Sequence, residues 1–363
     1  MTAAPPILIA AGGTGGHMFP ALALGQALLA RGRAVRVITD RRGARYVDGE
    51  LPCTVVAAGS PSGHPLAKAR GLAQLALGAA QSMLALTRGR PVAAATFGGY
   101  ASVPAALAAA AQRVPLLVHE QNAVFGRANR LVARFAHTLA LSFEATAAVP
   151  AVAAPRLVTG NPTRPGFAAE IPVADPARFR LLVLGGSQGA RVFSDVVPAA
   201  LALLPEALRG RIELAQQCRP EDLDRVRAAY AGQGGGGLAV ELAPFFTDVA
   251  ARMAAADLVV TRSGASTVAE LLALGRPSLL VPYLHAADDH QTANARALVE
   301  GGAALVLPQP EFTAERLAQH LERLMRAPVE LATMAAGARA LARPDAAERL
   351  ADAVLALTGE TRA

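Results

Sequence analysis

Two glycine-rich segments carry the first chemical signal. Gly12-Gly13-Thr14-Gly15-Gly16-His17 follows an apolar run at 7–11 and precedes a helical stretch at 20–31. Glycines there let the main chain approach a ligand closely. The helix start adds free N–H groups and the positive end of a dipole, which together suit an anion. The spacing is not the dinucleotide fingerprint, because a third glycine would be needed where Met18 stands, and no Lys-Ser/Thr pair makes it a nucleotide phosphate loop. Gly185-Gly186-Ser187-Gln188-Gly189-Ala190 occupies the matching place after the apolar run 181–184. Two such loops at equivalent positions allow one half of the chain to hold a donor and the other an acceptor. A third patch, Phe97-Gly98-Gly99-Tyr100, reads either as part of a site or as helix–sheet packing.

Polar clusters follow other apolar runs. His119-Glu120-Gln121-Asn122 ends the run 116–118, and side chains at a carboxyl strand end point into the crevice where α/β proteins bind ligands. Arg262-Ser263-Gly264-Ala265-Ser266-Thr267 opens a helix reaching about residue 274, an anion site with Glu270 placed to accept from two ribose hydroxyls. Thr267 and Glu270 also have capping-box spacing, and both readings can hold. Asp288-Asp289-His290-Gln291 is tempting as a metal site, but consecutive helical residues diverge by about 100° each, so no metal is expected there. His119-Glu120 lacks the second histidine of a zinc pattern.

The elements that must position these residues alternate strand and helix. Strands are expected at 7–11, 34–39, 92–96, 116–119, 138–141 and 156–159, then at 180–184, 212–215, 238–242, 258–261, 278–281 and 303–306. That rhythm means parallel sheets covered by helices on both faces, in two Rossmann-like α/β halves with a ligand cleft between them. A stretch studded with Pro162, Pro165, Pro172 and Pro176 marks the boundary, giving domains at 1–163 and 164–344. The last helix, 345–357, can stay with the second domain or return to the first.

Composition narrows the function. The 363 residues hold 35 Lys and Arg against 28 Asp and Glu, so the net charge of +7 favours acidic partners. With 53% hydrophobic and 17% charged residues the chain is not disordered. An aromatic share of 4% with no Trp argues against a base-stacking nucleic-acid binder, and two cysteines exclude a disulfide scaffold. No apolar run reaches about twenty residues, and residues 1–11 do not read as a signal peptide, so a cytoplasmic protein is expected.

Taken in order, residues 12–17 with Phe19-Pro20, 96–100 with Pro104, 119–122, Gly160-Asn161-Pro162 with Arg164, 185–190, 262–270 with Gly275 and Pro277, and Gln291 with Asn294 form a specific set. It resembles the N-acetylglucosamine transferases of bacterial peptidoglycan synthesis, in glycosyltransferase family 28. The resemblance implies the two-domain GT-B fold and inverting transfer of N-acetylglucosamine from UDP-N-acetylglucosamine to the muramyl C4 hydroxyl of lipid I, giving lipid II. It implies donor contacts at Thr14, Gly15, Gly16, Asn122, Arg164, Ser187, Ala265, Ser266, Thr267, Val268, Ala269, Glu270 and Gln291. Phe246 stands where a backbone amide of similar proteins reads the uracil edge. The first domain would meet the acceptor, an undecaprenyl-diphosphate-linked muramyl pentapeptide. No cofactor is implied. The enzyme would work peripherally on the cytoplasmic face of the membrane, with anionic lipid and other cell-wall synthesis proteins as partners.

His17 and Glu120 are the candidates for the base that takes the acceptor proton; histidine titrates intrinsically nearer neutrality. The membrane patch is expected at 64–86, where Lys68 and Arg70 stand beside Leu72, Leu75, Leu77, Met83, Leu84 and Leu86. A buried helix explains most of these leucines equally well. Two other readings compete: a nicotinamide-dependent dehydrogenase, with Asp40 placed like a ribose-binding acid, and a non-catalytic nucleotide or lipid-carrier binding module.

Overall fold

The computed structural model describes residues 5–47, 49, 51–61, 63–167, 175, 177–186, 189–232 and 237–359. The chain forms two compact units, Met1–Arg164 with Arg343–Ala363, and Pro165–Ala342.

The first unit holds β1 (Ile7–Ala10), β2 (Val35–Thr39), β3 (Cys53–Val55), β4 (Ala93–Thr96), β5 (Leu116–Glu120), β6 (Thr138–Leu141) and β7 (Arg156–Val158). They make one parallel sheet in the order β3-β2-β1-β4-β5-β6-β7. In the second unit β8 (Phe179–Leu184), β9 (Ile212–Gln217), β10 (Ala239–Ala243), β11 (Leu258–Thr261), β12 (Ser278–Leu280) and β13 (Ala304–Val306) make a second parallel sheet, β10-β9-β8-β11-β12-β13. The central strands β1, β4, β5 and β11 are buried throughout, which is why they read as continuous apolar runs rather than alternating ones. Both sheets are doubly wound, as the strand–helix rhythm implies. β3 was not expected: it is a three-residue edge strand, with Cys53 and Val55 exposed, so no apolar run announces it.

Helices α1 (Gly15–Ala30), α2 (Pro65–Thr87), α3 (Ser102–Ala111) and α4 (Arg127–Val132) belong to the first unit, and α5 (Arg191–Ala202) opens the second. α1 starts five residues before the expected Pro20, so Gly15, Gly16 and His17 form its first turn. Glycines are poor helix formers and hid that turn from the pattern. Pro20 lies inside α1 and has no N–H to offer the Gly16 carbonyl. The C-terminal helix Ala346–Ala356 packs on the first unit. Leu350, Ala351 and Val354 are buried against Leu24 and Leu28 of α1, each large side chain contributing about 1.5–3 kcal/mol. Arg31 pairs with Asp352 at 2.6 Å on its rim.

In each sheet the strand order reverses beside the first strand, between β1 and β4 and between β8 and β11. The loops leaving the carboxyl ends of those pairs are where a doubly wound sheet binds its ligand.

Candidate active site

At the first reversal the two glycine segments touch. The Gly12 N–H donates to the Gly98 carbonyl at 2.9 Å, and a Cβ on Gly12 would lie 2.7 Å from the Gly99 Cα. Gly98 and Gly99 sit at φ +78° and +72°, in the left-handed region. The Gly98-Gly99 pair therefore serves loop-on-loop contact rather than helix–sheet packing. A Cβ on Gly99 would also come within 3.2 Å of the His17 ring, so the same glycines leave room for the imidazole. Gly15 lies under the Phe19 ring, whereas Gly16 faces open space. Thr14 caps α1 through its backbone position alone; its exposed hydroxyl makes no capping bond.

The carboxyl end of β5 supplies a buried polar row. His119 is wholly enclosed, and burial pushes its pKa from the ordinary 6.5 down to about 4, against the pull of the Gly160 carbonyl and with a smaller lowering from His17. Its Nε2 lies 3.0 Å from that carbonyl, and its Nδ1 lies 2.9 Å from Gln121 Nε2. Gln121 Oε1 in turn lies 2.8 Å from His17 Nδ1. Among the described residues His17 Nε2 has no hydrogen-bond partner.

Glu120 behaves differently. Oε1 accepts from the Asn122 N–H at 3.0 Å and from Asn122 Nδ2 at 3.1 Å. Oε2 accepts from the Gly126 N–H at 2.8 Å and from Asn129 Nδ2 at 2.7 Å. Four donors fill a carboxylate's main acceptor directions, so this buried side chain organises the loop from β5 into α4. Asn122 is engaged in that loop. Asn129, which sequence reasoning passed over, also donates to the His119 carbonyl at 3.0 Å. Its position inside a short helix gave no signal.

Asp40 loses the feature that supported a dehydrogenase. Its Oδ1 accepts from the backbone of Arg42 and Gly43, at 3.1 and 2.8 Å, and its Oδ2 pairs with the Arg42 guanidinium at 3.3 Å. The carboxylate closes its own turn. Arg164 belongs to the first unit, where its guanidinium lies 4.5 Å from the Phe19 ring centre.

In the second unit Gly185 is required by a sharp loop, since a Cβ there would lie 2.3 Å from the Ala190 nitrogen. Gln217, at the end of β9, was also missed. It accepts from the Gly185 N–H at 3.0 Å and donates to the carbonyls of Gly186 and Pro244 at 3.1 and 3.2 Å, tying the glycine loop to the segment before Phe246. Two glutamines at a strand's carboxyl end were the available signal. Ser187 lies outside the described residues. Phe246 is buried with the Arg252 guanidinium 4.2 Å from its ring centre.

The helix Ala265–Ala273 is capped by Gly264 and has no side-chain cap, so the expected Thr267–Glu270 capping box does not form. Thr267 is its third residue, and the N–H groups of Ala265, Ser266 and Thr267 precede the first intrahelical partner. The Ser266 hydroxyl is enclosed without a partner among the described residues. Glu270 is buried. Val268 is a core side chain whose N–H is taken by the Gly264 carbonyl at 2.9 Å, and Ala269 offers only its methyl group, so neither presents a free polar group. Gln291 Oε1 accepts from the Tyr283 N–H at 2.9 Å, and its carbonyl accepts from Ser263 at 2.8 Å; Asn294 braces Ser263 at 3.0 Å. Asp288 and Asp289 sit at φ +52° and +50°, where Asp289 accepts from Thr292 and His290 donates to the Ala287 carbonyl. These contacts are separate, and no group of three potential metal ligands converges among the described residues.

Comparison with known proteins covers both units. Residues 7–141 match the glycosyltransferase family 28 N-terminal domain, and residues 180–350 match the family 28 C-terminal domain. The chain is 49% identical to the UDP-N-acetylglucosamine–N-acetylmuramyl-(pentapeptide) pyrophosphoryl-undecaprenol N-acetylglucosamine transferase of Rhodospirillum centenum, over 98% of this chain and 95% of that one. It is 51% identical to the protein of the same name from Paramagnetospirillum magneticum, over 98% of both. The crystal structure of Acinetobacter baumannii MurG superposes with a TM-score of 0.79 at 30% identity, covering 97% of this chain and 100% of that chain. The kitacinnamycin glycosyltransferase, at 19% identity and TM-score 0.73 over 98% and 99%, shares the fold.

Proposed function

This chain belongs to glycosyltransferase family 28, and from that premise we propose how its residues perform the reaction. The enzyme transfers N-acetylglucosamine from UDP-N-acetylglucosamine to lipid I, giving lipid II of peptidoglycan. The observation that carries this is identity of 49% and 51% to transferases of that name over nearly the whole of both chains. The two Rossmann-like domains are those of the GT-B fold.

The muramyl C4 hydroxyl attacks C1 of the donor sugar as the bond from C1 to the UDP oxygen breaks, so the anomeric centre inverts. The hydroxyl proton goes to Nε2 of His17. What supports His17 over Glu120 is their bonding: the Glu120 oxygens are filled by four loop donors, and His17 Nε2 has none among the described residues. Charge grows on the diphosphate, where the N–H groups of Ala265, Ser266 and Thr267, the Ser266 hydroxyl and Ser187 would stabilise it. Arg164 supplies a positive charge from its seat on Phe19. Glu270 accepts from the ribose hydroxyls, the Phe246 N–H reads the uracil, and Gln291 Nε2 faces the sugar. Thr14, Gly15 and Gly16 give the donor close access to main chain at the start of α1. Asn122 acts with Glu120 in shaping that loop.

No helix among the described residues is long and apolar enough to cross a membrane. The reading of a peripheral enzyme at the cytoplasmic face rests on the lipid acceptor and on α2. At about 100° per residue, Leu66, Leu77 and Leu84 share one side of α2 with Arg70 and Arg88, opposite the buried Gly71, Gly78 and Ser82. These three leucines are 77%, 54% and 53% exposed. The test of function is transfer itself. Folded enzyme with UDP-N-acetylglucosamine and a lipid I analogue releases UDP and forms the disaccharide lipid. Binding of UDP-sugar without turnover across several analogues would leave a binding module instead.

A further inference from the structure

We propose that Gln121, anchored on His119, is a positioning residue that holds His17 in the tautomer with its proton on Nδ1, leaving the lone pair on Nε2. The proposal rests on His17 as the base and says why that nitrogen can accept.

One chain of hydrogen bonds runs from the Gly160 carbonyl to the His17 ring. The Gly160 carbonyl can only accept, so His119 Nε2, 3.0 Å away, carries a proton. The enclosed His119 ring is neutral near pH 7, so its Nδ1 is bare. Gln121 Nε2 therefore donates to that Nδ1 at 2.9 Å, and it also donates to the His119 backbone carbonyl at 2.9 Å. Two acceptors on one side fix the orientation of the amide. Its NH2 group must face them, and Oε1 must face the other way, onto His17 Nδ1 at 2.8 Å. An amide oxygen cannot donate, so the neutral His17 ring keeps its proton on Nδ1. In water a histidine side chain favours the opposite tautomer, so the chain of contacts opposes the ring's own preference. An amide carries no charge. Unlike the carboxylate of a serine-protease triad, it orients the base without a full counter-charge for the imidazolium. The ring's room is set by Gly98 and Gly99, so orientation and tautomer are imposed from two sides.

The test uses the intact chain with 15N-labelled histidine. The seven histidines are few enough for long-range proton–nitrogen correlation to resolve, with His17 assigned by its absence in His17→Asn. At a pH where the ring is neutral, the wild type shows His17 protonated at Nδ1. Gln121→Leu moves the ring toward the Nε2-protonated form and lowers kcat at least about tenfold with little change in KM for UDP-N-acetylglucosamine. A wild-type His17 protonated at Nε2 overturns the proposal without any variant. So does Gln121→Leu with both tautomer and kcat unchanged. An Nδ1-protonated His17 together with full turnover in His17→Ala would support the hydrogen-bond chain and remove the base reading, so the two failures are distinct.

Discussion

A histidine enclosed without charge makes stability depend on pH. His119 is held down to about 4, first by burial, while in the unfolded chain it titrates near 6.5. Its folded value is depressed, so the stability linked to its neutral form is fully present above pH 6.5. It is lost as pH falls toward 4, because the unfolded state binds a proton that the native state refuses. The full loss is on the order of 3 kcal/mol. His119→Phe keeps a ring against Phe97, 5.1 Å away between centres, and removes the proton. Urea midpoints at pH 7.5 and 5.0 are expected to differ less in this variant than in the wild type. An equal difference in both would assign the acid sensitivity elsewhere. The same residue shows where sequence reading stops. A run of His-Glu-Gln-Asn at a strand end marks a site, but Glu120 as loop anchor depends on how the chain turns back through Asn122, Gly126 and Asn129, and Gln121 reaches His17 104 residues away in sequence.

Elements were legible where burial was uniform. The apolar runs that became β1, β4 and β11 are buried at every position, so they stood out, whereas the exposed edge strand β3 left no trace. α2 shows the limit of composition. Of its hydrophobic residues, Leu86 is buried and Leu75 and Met83 pack on the core, while Leu72, Leu77 and Leu84 are exposed. Half of the expected patch is therefore core; Leu77 and Leu84 form an apolar side with Arg70 and Arg88, while Leu72 and Lys68 lie away from it around the helix. Basic groups beside apolar ones suit an anionic bilayer, at about 1 kcal/mol for each Lys or Arg near the surface. Flotation with anionic vesicles should show binding that weakens as salt rises, and Arg70→Glu with Arg88→Glu should reduce it by roughly tenfold or more. Equal flotation of this pair and the wild type would remove α2 from the membrane contact.

At the scale of the whole molecule, the two sheets repeat one plan. Each puts a glycine loop after its first strand, beside the reversal, and a polar turn after a strand on the other side of it, β5 in the first sheet and β11 in the second; the rhythm of the sequence displays that duplication because parallel pairing requires a helix after nearly every strand. The C-terminal helix, whose destination sequence left open, adds its apolar side to α1. In our account the first unit contributes the base and the second most of the donor contacts, which separates catalysis from donor affinity. The most direct test combines turnover and UDP titration on intact His17→Ala. The account predicts a fall in kcat of about 10² to 10⁴, with the Kd for UDP within about threefold of wild type. Turnover within a few-fold of wild type in the folded variant would contradict it.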